Sequence, residues 1–125
     1  MYIHASGSFG SIAQSTRPYR RVDGVLVAAN RQALFTSALE HRITLTAQGI
    51  AVADVSHVWT ATFADGGADP RDCGGWSDGT SAGSGMYGIT SCSPRQPPCT
   101  PDNWSYHGQA FCNERARLYC FEQLP

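Results

Sequence analysis

Ser105–Gln123, SYHGQAFCNERARLYCFEQ, is the stretch on which the reading of this 125-residue chain turns. It holds two of the five cysteines, Cys112 and Cys120, and the other three, Cys73, Cys92 and Cys99, precede it in the same half of the chain. The run Arg117-Leu118-Tyr119-Cys120-Phe121-Glu122 reads as a buried strand that a disulfide pins from behind. An odd cysteine count means that at least one sulfur has no partner within the chain.

A chain of this length supports one domain, and such a domain buries about two-thirds of its unfolded surface, so a core forms without metal or staples. Each disulfide closing a long loop would still add about 2–4 kcal/mol. Five cysteines in so small a domain favour an oxidising compartment. Zinc is the competing use, but no C-x-x-C is present and Cys92 and Cys99 are too widely spaced for a standard knuckle. Nine arginines, no lysine and ten carboxylates leave a net charge of −1. That balance gives no electrostatic drive toward nucleic acid or an anionic membrane. No apolar run approaches the ~20 residues of a membrane span. The N-terminal MYIHASGSFGSIAQ lacks the basic and apolar regions of a signal peptide, so secretion would depend on sequence upstream.

The first half carries the regular patterns. Tyr2–Ala5 is a short strand candidate. Pro18–Asp23, the turn Asp23-Gly24 and Val25-Leu26-Val27 read as a hairpin. Asn30 is a good N-cap for a helix over Arg31–Leu39. His41–Thr46 alternates as a strand does, Gln48-Gly49 marks a turn, and Val52–Val55 and His57–Thr62 are further strand candidates. From Asp65 to Ser91 eight glycines accumulate and regular structure is expected to be scarce. Trp76 and Tyr87 within that tract point to a loop packed over a core, because an indole buries on the order of 200 Å² when it docks. Cys92-SPRQPP-Cys99 reads as a small rigid loop clipped by its own disulfide.

Four landmarks, in order, resemble a known family. They are Arg21-Val22-Asp23-Gly24-Val25 with Val27-Ala28; Val58-Trp59-Thr60-Ala61-Thr62 with Ala64-Asp65-Gly66; Cys73-Gly74-Gly75-Trp76; and Cys112-Asn113 with Arg117–Gln123. The pattern, over residues 17 to 123, is similar to the bacterial endostatin-like domains, which include the leptospiral endostatin-like surface lipoproteins and are related to the C-terminal domain of collagen XVIII. The resemblance implies an α+β, C-type-lectin-like fold: a twisted, mainly antiparallel sheet with a short helix and long disulfide-braced loops. It also implies that Cys73 pairs with Cys112, and that Cys120 meets a cysteine on an N-terminal helix. That helix has no counterpart in residues 1–125. The expectation is therefore one domain lacking the family's first strand and helix, with Cys120 left free or bonded to another chain, and Cys92–Cys99 a local addition. A fragment, a late start or a compact variant would each explain the difference.

Catalytic signatures are missing. His4, His41, His57 and His107 form no H-E-x-x-H, and Gly83-Ser84-Gly85 is no nucleophile elbow. Cys120, between Tyr119 and Phe121, reads as a buried strand cysteine and not as a thiolate nucleophile. Asp65, Asp69, Asp72 and Asp78 could offer oxygens to calcium, the one cofactor left open, although Asp–Gly pairs are also ordinary turn chemistry. The sugar-binding tripeptide of C-type lectins is not matched by Gln96-Pro97-Pro98. Endostatin's heparin binding suggests a polyanion site on Arg17, Arg20, Arg21, Arg115 and Arg117, which ten carboxylates offset. Asn103-Trp104-Ser105 satisfies an N-glycosylation sequon.

The expectation is a secreted or cell-surface, non-catalytic recognition or adhesion domain that binds a protein or glycan. Its loops between Asp65 and Tyr106 would carry the contacts, with Trp104, Tyr106, Tyr87 and Arg95 as candidates. The alternative is a structural module of a surface fibre or a larger polypeptide, with Cys120 joining copies.

Overall fold

A computed structural model describes residues 17–36, 39–52, 56–90 and 104–121. The Tyr2–Ala5 strand candidate, and the Cys92–Cys99 loop with Arg95, lie outside these residues. The fold is mixed α+β, mostly strands with short helices. The first described element is the expected hairpin, in which β1 (Tyr19–Arg20) pairs antiparallel with β2 (Leu26–Ala28). Gly24 supplies the positive φ of 85° that the turn demands, and Gly24 N–H donates to the Arg21 carbonyl at 2.9 Å. The helix α1 (Arg31–Thr36) follows. Asn30 caps it as read from sequence, its Oδ1 accepting the Ala33 N–H at 2.8 Å.

The main sheet has the order β5-β4-β3-β6. Its centre is β3 (His57–Trp59) against β4 (Ser84–Ile89), with β5 (Gly108–Phe111) antiparallel along the other side of β4. The edge strand β6 (Arg117–Leu118) joins β3 in parallel, so the sheet is antiparallel but for this pair. Three expectations need correction here. The glycine-rich tract holds β4, the longest strand among the described residues. His41–Thr46 forms no strand: its pairing reduces to the bridge Leu45–Ala51 around the turn at Gly49, and no second partner extends it among the described residues. Of the strand expected over Arg117–Glu122, the described residues form only the exposed pair Arg117–Leu118; Tyr119 and Phe121 are buried, Cys120 is exposed, and Glu122 lies outside the described residues.

Alternation along β3 sends Val58 to one face and His57 and Trp59 to the other. The Val58 face covers the core, formed with Val27, Ala28, Leu34, Leu39, Trp104, Tyr119 and Phe121. Trp104 is 2 % exposed, its ring 5.4 Å from Phe35 and 5.7 Å from Tyr119. The Tyr119 hydroxyl donates to the Trp104 carbonyl at 3.1 Å, which satisfies the one polar group that ring brings into the core. Burial pushes that phenol well above its ordinary pKa. The segment at Trp104-Ser105 runs so close over β4 that any Cβ at Gly88 would overlap the Trp104 carbonyl. Thr60 ties the same segment down, its hydroxyl donating to the Ser105 carbonyl. Trp104 is therefore a core residue, and the sequence-based expectation of a ligand contact there is corrected.

Candidate functional site

The opposite face of the sheet carries the aromatic side chains that the core does not use. Trp59 and Tyr87 are direct cross-strand partners, so both project to this face, and both are half-buried. The Tyr87 ring lies over Gly108 and is flanked by two histidines. His57 stacks on it at 4.0 Å with 19° between planes, and His107 stands 5.8 Å away on a tilt. Both histidines are exposed.

Trp59 turns the other way, over Gly85. A Cβ there would come within 2.8 Å of the indole and 2.9 Å of Cys73 Sγ, so only glycine lets the ring and the sulfur share that spot. Cys73 is bonded to Cys112, as the family resemblance implied. This is the one disulfide among the described residues; Cys92 and Cys99 lie outside them. The bond reaches across the start of β4, from the turn α2 (Cys73–Trp76) to the residue that follows β5.

That turn is left-handed. Cys73, Gly74, Gly75 and Trp76 have φ of 54°, 63°, 68° and 64° in succession. Glycines accept such angles freely, but for Cys73 and Trp76 the conformation costs about 1–2 kcal/mol each. Local bonds hold it: Trp76 N–H to the Asp72 carbonyl at 2.7 Å, Gly75 N–H to Asp72 Oδ1 at 3.0 Å, and Ser77 hydroxyl to the Gly74 carbonyl at 2.6 Å. The result sets Trp76, half-buried, 5.8 Å from Trp59.

A separate group gathers around Tyr106. Tyr106 is half-buried, 5.9 Å from the partly exposed Phe63, and the Arg71 guanidinium stands 6.0 Å from its centroid. Asp69, whose side chain is wholly buried, fixes Arg71 by a two-point ion pair and also accepts the Arg71 backbone N–H at 2.8 Å. Burial on its own raises the Asp69 pKa, but the hydrogen bonds and charge of Arg71 outweigh it and hold the carboxyl below the ordinary range. The Arg71 pKa rises in turn through its bonds to Asp69 and Tyr106.

The expected site residues thus fall in different places. Tyr87 belongs to the aromatic face, from the sheet itself and not from a loop; Tyr106 stands with Phe63 and Arg71 instead, Trp104 is in the core and Arg95 lies outside the described residues. The four carboxylates considered for calcium are each engaged locally: Asp65 accepts Gly67 N–H at 2.8 Å, Asp69 holds Arg71, Asp72 caps α2 and Asp78 accepts Thr80 N–H at 2.8 Å. No three metal-ligating side chains gather among the described residues. Sequence reasoning does not single out His57, Trp59, Trp76 or His107 as contact residues. The alternation His57-Val58-Trp59 around an apolar Val58 was the available signal for the first two.

No described helix is long and apolar enough to cross a membrane. Comparison of the chain with protein-family models, with curated proteins and with solved structures gives no match.

Proposed function

We propose that this chain is a non-catalytic recognition domain of C-type-lectin-like, endostatin-like type, acting outside the cell on a protein or glycan. One observation carries the reading: half-exposed aromatic rings, with a histidine on each side of Tyr87, cover the sheet face that the core leaves unused. Such rings are rigid and lose little conformational entropy on binding, and the Trp, Tyr and His edges supply hydrogen-bonding groups beside the apolar faces. The disulfide is compatible with an extracellular location. The contact surface in this reading is Trp59, Trp76, Tyr87, His57 and His107.

The test is a binding screen of the full chain against immobilised extracellular-matrix proteins and a glycan array. Any ligand found is then titrated against Tyr87→Ala and Trp76→Ala. The reading expects at least one variant to bind about tenfold or more weakly, as for a hot-spot residue. Undiminished affinity in both places the contact surface elsewhere.

The exposed, unbonded Cys120 favours a second reading, that of an assembly module joined through this thiol. Mass spectrometry without reductant separates the two readings. A Cys120-linked dimer supports assembly, and a monomer with a free thiol removes covalent assembly.

A further inference from the structure

We propose that the Cys73–Cys112 disulfide is a redox latch that holds Trp76 on the aromatic face, so that a dithiol reductant takes that face apart while leaving the core folded. The proposal rests on the reading of the face given above and adds its regulation.

Cys73 and Trp76 are both in a conformation that residues with a Cβ disfavour, and they sit at the two ends of the same turn. The hydrogen bonds that shape the turn run from Asp72 to Asp78 and so are internal to it. They do not seat it on the sheet. Before the turn, the backbone is held by the Asp72–Gly85 bridge and by Met86 N–H donating to the Arg71 carbonyl at 2.8 Å. From Cys73 onward, the disulfide to Cys112 is the one covalent tie to the sheet among the described residues; the Trp76 ring near Trp59 and the Asp78 side chain beside Gly83 add packing. Gly74 and Gly75 between them are exposed, and a Cβ at Gly75 would meet nothing within 4 Å. Two glycines beside a strained tether make a hinge, since they can change φ at little steric cost.

The chemistry balances without a protein cofactor. One thiolate of the dithiol attacks a cystine sulfur to form a mixed disulfide, and its second thiol closes on the first. The Cys73–Cys112 bond breaks, the reductant's own disulfide forms, and the two electrons and two protons of the dithiol end on the two cysteine thiols. Cys73 is then free to return to negative φ, Gly74 and Gly75 take up the change, and Trp76 leaves Trp59. The hydrophobic cluster on the Val58 face lies across the sheet and includes neither Cys73 nor Cys112.

The experiment follows tryptophan emission and acrylamide quenching of the full chain carrying Cys120→Ser, before and after dithiothreitol. A Cys73→Ala/Cys112→Ala form, in which this bond cannot exist, is measured alongside. Loss of the bond is expected to raise emission, because Trp59 no longer rests against a disulfide, and to increase quenching as Trp76 becomes exposed. The far-UV circular dichroism should stay native, and Trp76→Phe in the reduced protein should abolish the gain in quenching. The proposal is overturned by unchanged emission and quenching, by a gain that survives Trp76→Phe, or by cooperative loss of the far-UV signal. None of these readouts uses a ligand. A failure here therefore leaves the recognition reading standing, and failure of the binding titrations leaves the latch standing.

Discussion

The Trp104 carbonyl lies against the Cα of Gly88, so closely that a methyl group at position 88 would occupy the space of that oxygen. This contact joins the segment after the proline-rich loop to the middle of β4 and sets Trp104 into the core. Gly88→Ala should therefore cost at least about 3 kcal/mol, the upper end of over-packing penalties, because backbone and not a flexible side chain must move. Denaturant unfolding checks this. A loss below about 1 kcal/mol, which surface changes show, would mean the two segments are not in contact.

Trp104→Ala should destabilise by about 3–5 kcal/mol, the usual cost of removing a buried aromatic ring. Trp104→Phe, keeping most of the ring contacts with Phe35 and Tyr119, should retain the fold with a smaller loss. Thermal unfolding of both variants measures this, and a Trp104→Ala protein as stable as wild type would return Trp104 to the surface.

The Asp69–Arg71 pair should respond asymmetrically. Arg71→Ala leaves a fully buried carboxylate without its partner and should cost about 3–5 kcal/mol near neutral pH. Asp69→Asn leaves an arginine that is a third exposed and can reach water, so about 1–2 kcal/mol is expected. The folded-state pKa of Asp69 is depressed, so its contribution is complete above the unfolded value of about 4 and is lost as pH falls through the folded value. The gap between wild type and Arg71→Ala should accordingly narrow as pH drops from 7 toward 3. Unfolding curves at several pH values test it, and a gap that widens on acidification contradicts the pairing.

Cys120 is exposed and unbonded, whereas Cys73 is buried in a disulfide. Iodoacetamide added to the native protein should label the Cys120 peptide, and label Cys73 and Cys112 only after reduction. Peptide mass spectrometry reads this directly. A Cys120 that reacts only after denaturation would restore the buried strand first read from sequence.

The parts of the fold that were legible in the sequence are those decided by neighbouring residues. Asp23-Gly24 announces its own turn, and Asn30 announces its own helix. The strands β4 and β5 were not legible because their glycines weaken the local strand pattern, and the reason for those glycines is non-local. Gly85 lies beneath Trp59 and Cys73, and Gly88 beneath Trp104. In the same way, Tyr87 could be singled out as an aromatic in a Gly-rich tract, but its partner Trp59 follows only from the register of β3 and β4. His41–Thr46 shows the converse, a strand pattern with a single bridge to complete it among the described residues. The left-handed angles of Cys73 and Trp76 leave no mark in the sequence beyond the two glycines between them.

The central claim is that binding runs through the aromatic sheet face and not through Trp104. It is tested most directly by titrating one bound protein or glycan against Trp76→Ala, Tyr87→Ala and Trp104→Phe, with folding of each confirmed by circular dichroism. Affinity should fall about tenfold or more in at least one of the first two and stay near wild type in Trp104→Phe. Wild-type affinity in Trp76→Ala and Tyr87→Ala, with loss in Trp104→Phe, would contradict it.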